Sequence, residues 1–155
     1  MTEEDKKNAY LYCKFRDEQF ALYDEYAKRN GMMMKTLLVV NVLYYDAFYN
    51  KSGMTQKEIC QRTFQSKQTV NLIIKNLLAG DYVTVTEAPE NKRNKIVQMT
   101  DAGRAYCEKV VRHITWAEDT AMSMFTPEEQ KQLIGLSRVF TKNLTRLVNQ
   151  ETEDI

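Results

Sequence analysis

Apolar residues recur at helical spacing over most of this chain, and the pattern turns to a two-residue period in one place only. Leu11, Phe15, Leu22 and Tyr26 fall at spacings of four, seven and four, which predicts a helix over residues 5–29 with one apolar face. Asn30-Gly31 ends it, since glycine takes the left-handed cap conformation freely. Residues 33–49 are apolar almost all round (Leu37, Leu38, Val40, Val42, Leu43, Tyr44, Ala47, Phe48), the mark of a helix buried against several neighbours. The β-branched Val39, Val40 and Val42 also suit a strand, but the length favours a helix.

After the break at Ser52-Gly53, the run Thr55-Gln56-Lys57-Glu58 has the form of a capping box and predicts a short helix to about Thr63, with Ile59 and Cys60 inward. Phe64-Gln65 makes a tight turn. Ser66 caps the next helix, which carries Val70, Ile73, Ile74, Leu77 and Leu78 as its apolar stripe and stops at Gly80. Residues 82–86 and 95–99 then alternate as strands do, joined by a long polar loop over 87–94 that includes Lys92 and Arg93. Thr100 caps a helix expected to reach about Met124. Thr126-Pro127-Glu128-Glu129 opens a last helix with Leu133, Leu136, Phe140, Leu144 and Leu147 on one face. The expected order is four helices, a hairpin and two helices, so the fold class is mainly α with a small β-hairpin.

Composition narrows the function. With 43% hydrophobic and 28% charged residues the chain is of the globular class, and its net charge is only +1. Residues 55–95, however, hold seven basic side chains (Lys57, Arg62, Lys67, Lys75, Lys92, Arg93, Lys95) against four acidic ones (Glu58, Asp81, Glu87, Glu90). Charge gathered this way is a local footprint for a polyanion. The acidic start Met1-Thr2-Glu3-Glu4-Asp5 is not a signal peptide, and the most apolar stretch, 36–45, is too short to span a membrane. Three cysteines (Cys13, Cys60, Cys107) without a CxxC pair read as reduced thiols, so the expected location is the cytoplasm. One histidine, no phosphate-binding glycine loop and no G-x-S-x-G argue against an enzyme and call for no cofactor. Cys107 and His113, six residues apart, do not share a helix face and make a poor metal pair.

Two short helices joined by a tight turn and followed by a hairpin with a basic tip form a winged helix-turn-helix. A major groove admits one helix, and the start of the second helix offers hydroxyl, amide and ammonium groups to it. On this reading Ser66, Lys67, Thr69 and Lys75 meet phosphates of double-stranded DNA, while Gln68, Asn71 and Leu72 meet bases. Lys92 and Arg93 reach a neighbouring minor groove, where the potential is most negative.

Asn91-Lys92-Arg93, five residues, then Met99-Thr100-Asp101-Ala102-Gly103 resembles the wing of the MarR family of bacterial regulators, whose pattern is Asp-x-Arg, five residues, Leu-Thr-x-x-Gly. Ser66-Lys67-Gln68-Thr69-Val70 is similar to the start of that family's recognition helix. There are departures: Asn91 stands for the usual Asp, Met99 for Leu, and the glycine after the recognition helix comes one residue early, at Gly80, leaving Asp81 in its place. Asp tolerates the left-handed region better than most residues. The resemblance implies a homodimeric transcription regulator, commonly a repressor, that binds a pseudo-palindromic operator and is released by a small ligand or an oxidant. It also implies an organisation of 1–32 as an N-terminal dimerisation helix, 33–100 as the DNA-binding domain and 101–155 as C-terminal dimerisation helices.

Two further sites are candidates on that basis. Tyr44, Tyr45, His113 and Trp116 are candidate lining for a small aromatic ligand, although aromatics so placed are more often plain core. Cys13, near Tyr10, Tyr12 and Phe15, is a candidate redox thiol, against the plainer reading of an idle one. The rival to the DNA reading is a winged-helix protein-interaction module whose acidic partner meets Lys92, Arg93 and Lys95.

Overall fold

The computed structural model describes residues 1–50 and 52–150. In chain order it has α1 (Glu3–Arg29), α2 (Met34–Tyr49), β1 (Met54–Thr55), α3 (Gln56–Thr63), α4 (Lys67–Ala79), β2 (Val83–Ala88), β3 (Asn91–Met99), α5 (Asp101–Ser123) and α6 (Pro127–Val148). The fold is mainly helical, with one small antiparallel sheet in the order β1-β3-β2.

The chain divides into two compact units, one from Met1 to Arg112 and one from His113 onward. The core of the first gathers one face each of α2, α3 and α4, the sheet, and the first part of α5. Leu37, Val39, Val40, Leu43, Ile59, Val70, Leu77, Val83, Val97, Cys107 and Val111 are all buried there. Burying a branched aliphatic side chain contributes about 1.5–3 kcal/mol, so this apolar set holds the small sheet against the helices. Ala27 is fully buried and the Tyr26 hydroxyl donates to the Val110 carbonyl at 2.9 Å, which fixes the end of α1 against α5. The rest of α1 is open: Leu11, Phe15 and Leu22 are 42%, 60% and 57% exposed. In the second unit α6 has no buried residue, and Leu136 and Leu147 are well exposed on it.

Start signals in the sequence act as expected. Thr55 and Thr126 each form a complete capping box, with Glu58 and Glu129, and the Thr100 hydroxyl accepts the Gly103 amide at 3.0 Å. A further box, Thr2 with Asp5, starts α1 two residues earlier than apolar spacing suggested. Asp81, and not Gly80, takes the left-handed conformation after α4, with φ 57°. Gly80 serves a different need, since a Cβ there would lie 2.7 Å from the Tyr82 ring.

Three details differ from expectation. The strand β1 pairs Met54 with Val97 and Thr55 with Ile96; two residues are too few to show a period. Gly53, at φ 76°, lets this strand approach: a Cβ would meet Gln98 Cγ and Ile96 Cγ2 at 2.5 Å. The long loop expected over 87–94 is a tighter hairpin, because Ala88 pairs with Asn91. Lys92 and Arg93 therefore belong to β3, within an irregular stretch between the Ala88–Asn91 and Glu87–Lys95 pairs. Finally, Leu78 is 45% exposed and leaves the inner stripe of α4 to Val70, Ile73, Ile74 and Leu77.

Candidate nucleic-acid interface

The two short helices are fixed to each other by their own first turns. Glu58 Oε2 accepts from the Thr55 amide at 2.7 Å and from its hydroxyl at 2.9 Å. The bond from the Thr55 backbone, followed by that from its side chain, holds the Glu58 carboxyl below the usual carboxylate range. Gln56, the first residue of α3, donates through Nε2 to the carbonyl of Lys67, the first residue of α4, at 3.4 Å. Two helix N-termini thus lie side by side, each with its positive dipole end and free amides. Gln65 Nε2 donates to the Lys35 carbonyl at 3.0 Å, tying the intervening turn to the start of α2.

Ser66 caps α4 by accepting the Thr69 amide at 3.2 Å, and the two hydroxyls share a hydrogen bond of 2.9 Å. Burial of Val70, Ile73, Ile74 and Leu77 turns the opposite face outward. On it Lys67, Gln68, Asn71, Leu72 and Lys75 are exposed, with Thr69 half-buried. Leu72, an apolar side chain on that polar face, is 61% exposed. The seven α4 candidates from Ser66 to Lys75 therefore form one surface.

Lys92 and Arg93 are exposed on the wing, a separate element. Asn91 Oδ1 accepts the Arg93 backbone amide at 3.0 Å, so the amide that replaces the usual carboxylate fixes the local turn through the main chain. A groove of about 420 Å³ runs between α4 and the wing, lined by Gln56, Asn71, Lys75, Thr86, Glu87 and Lys95 among others. Lys95, which the rival reading gives to an acidic partner, lies beside Asn71 and Lys75 by virtue of strand register, in which it opposes Glu87.

The other candidates lie elsewhere. Tyr44 and Tyr45 meet edge to face with centroids 5.4 Å apart, and line a cavity of about 370 Å³ with Phe48, Tyr49, Glu108 and Arg112. Tyr44 donates to Glu108 Oε1 at 3.3 Å; burial first, then the Glu108 charge, raises its pKa. His113 stacks on Trp116 at 5.6 Å in the second unit. Cys13 and Cys60 are half-buried and Cys107 is buried. Burial pushes the Cys107 thiol up to about 12, which keeps it protonated and poorly nucleophilic. Among the described residues no cluster of three His, Cys, Asp or Glu is placed to hold a metal ion, and no helix is long and apolar enough to cross a membrane.

Capped helices α3 and α4 at a tight turn, followed by a β2–β3 hairpin that stands beside α4 and completes a three-stranded sheet with β1, define a winged helix-turn-helix protein. The model of the MarR family matches residues 46–94, about a third of the chain. The fold is similar to those of solved proteins that include MarR family regulators. A MarR family transcriptional regulator from Streptomyces coelicolor, in complex with DNA, is 18% identical with a TM-score of 0.76, over 93% of this chain and 89% of that one. A MarR family regulator from Neisseria meningitidis is 16% identical with a TM-score of 0.71, over 96% and 97%. The DNA complex of MepR from Staphylococcus aureus is 19% identical with a TM-score of 0.69, over 86% and 96%. Among the curated proteins, no sequence matches.

Proposed function

We propose that the protein is a transcription regulator that binds double-stranded DNA as a homodimer, with α4 in the major groove and the wing in the minor groove beside it. The observation that carries this reading is the outward face of α4, where Lys67, Gln68, Asn71 and Lys75 are exposed on a helix whose other face is locked in the core. Ser66, Lys67, Thr69 and Lys75 meet phosphates, Gln68, Asn71 and Leu72 meet base edges, and Lys92 and Arg93 enter the minor groove. That relatives of the same fold have been solved on DNA supports this assignment.

The dimer follows from apolar surface left open at both ends of the chain: Phe15 and Leu22 on α1, and Leu136 and Leu147 on α6. With residues 1–32 and 101–155 joining two copies, the paired winged helices over 33–100 meet half-sites about one DNA turn apart, in a near-palindrome. Repression is the regulatory mode we assign, with release by a small aromatic compound held at Tyr44 and Tyr45. Selection of bound duplexes from a randomised library, with affinity read at two salt concentrations, tests the core of the proposal. A palindrome bound in a steeply salt-dependent way is the expected result. No enrichment by a folded dimer overturns it and favours a protein partner.

A further inference from the structure

The turn between α3 and α4 holds an outlier. Phe64 sits in the left-handed region at φ 54°, ψ 33°, where a bulky side chain is rare and strained. Its ring is 96% exposed, so burial of the side chain returns nothing for that strain. A single exposed apolar residue is ordinary; one that also holds a strained backbone points to function. The turn is also rigid. The Phe64 amide donates to the Cys60 carbonyl, the Gln65 amide donates to the same oxygen at 3.3 Å, and the Gln65 side chain is anchored on α2. The backbone that carries the ring is therefore held in place, two residues before the cap of α4.

Its surroundings select the partner. Across α3 and α4 the basic residues are Lys57, Arg62, Lys67 and Lys75, and the single acidic one, Glu58, is committed to its capping box. Arg62 and Lys67, two residues before and three after Phe64 in the chain, are exposed. A second copy of this turn would bring the same positive charges against them, whereas a nucleic acid brings compensating phosphates. We propose that Phe64 is a DNA-contacting residue, packing its ring on the deoxyribose carbons or a thymine methyl at the edge of the groove that α4 enters. This rests on the DNA-binding reading above and extends the contact surface upstream of Ser66.

The test uses the full-length protein, the duplex that the wild type selects, and the variant Phe64→Asn, since Asn tolerates the left-handed region. The variant is expected to melt at a higher temperature and yet bind about tenfold more weakly. The slope of affinity against salt should stay unchanged, because no charge is lost. Phe64→Leu should restore part of the affinity. Uracil in place of thymine separates the two atoms served: if it removes the difference between wild type and variant the contact is the methyl, and if the difference persists it is the sugar. Equal affinity of Phe64→Asn and wild type overturns the proposal alone. Weaker binding together with a lower melting temperature also overturns it, by making the residue structural. A wild type that selects no duplex overturns it together with the reading on which it rests.

Discussion

Replacing Gly103 with alanine sets two physical effects against each other with opposite signs. Gly103 lies in the first turn of α5, where helix propensity alone favours alanine by about 1 kcal/mol. The tertiary structure forbids the methyl group. A Cβ at this position would lie inside contact distance of the Tyr82 carbonyl oxygen, 2.8 Å from its carbon and 3.1 Å from Met99 Cγ. Two of these atoms are backbone and have little room to move. The Tyr82 carbonyl already accepts the Thr100 amide at 3.0 Å, and Thr100 Oγ1 donates to the Asp81 carbonyl at 2.7 Å. Moving α5 away to admit the methyl lengthens both bonds and opens the base of the wing. Overpacking costs about 1–3 kcal/mol, and the two lengthened hydrogen bonds, one of them exposed, add about 1 kcal/mol together. After subtraction of the propensity gain, Gly103→Ala should destabilise the protein by about 1–3 kcal/mol. Urea denaturation followed by far-ultraviolet circular dichroism, at one fixed protein concentration, reads this directly. A variant as stable as the wild type, or more so, would show that propensity governs the site and would refute the close-approach argument.

Asp81→Gly removes the strain of a positive φ and should raise stability by about 0.5–1 kcal/mol, seen as a higher melting temperature. Thr55→Ala removes the cap of α3 and should cost about 1 kcal/mol at neutral pH. The contribution of its partner Glu58 has a defined pH sense. Its folded pKa is depressed, so the stabilisation is present above the ordinary carboxylate range and fades as pH falls through the depressed value. An acid titration of stability in the wild type and Glu58→Gln should converge at low pH. Cys107, raised from 9.0 to about 12, stabilises the fold below pH 9 and loses that contribution as pH rises toward 12; at pH 8 it should be the last of the three thiols to react with a disulfide reagent. Arg93→Ala should weaken duplex binding by about 1–3 kcal/mol and lower the salt slope by about one, with the melting temperature unchanged.

Much of the fold was legible because its signals are local. Thr55-x-x-Glu58 and Thr126-x-x-Glu129 need only four residues to close a capping box, and both did. The Thr2-Asp5 box carries the same four-residue signal, but it lies ahead of the apolar stripe that sets the expected start of α1. Alternation at 82–86 and 95–99 gave the two wing strands, but their pairing past Glu87 rests on an irregular register that no local pattern encodes. The α4 surface could be read from the apolar stripe, since whatever lies off the stripe faces out. The groove shared by Asn71, Lys75 and Lys95 could not, because it needs the distance between a helix and a strand far apart in sequence.

The sequence by itself determined the helices, their caps, the winged helix-turn-helix order and the residues of the outward face of α4, since each depends on chain geometry over a few residues. Tertiary structure alone decided which glycines are obligatory. Gly103 is held by Tyr82, just before β2, and by Met99 of β3, and Gly53, besides its positive φ, by Ile96, Val97 and Gln98 of β3. It also decided the state of Phe64, whose strained backbone and bare ring become visible only when the turn is packed on α2. Close approach and exposure are properties of the assembled molecule, because the atoms that create them come from segments the local chain never meets.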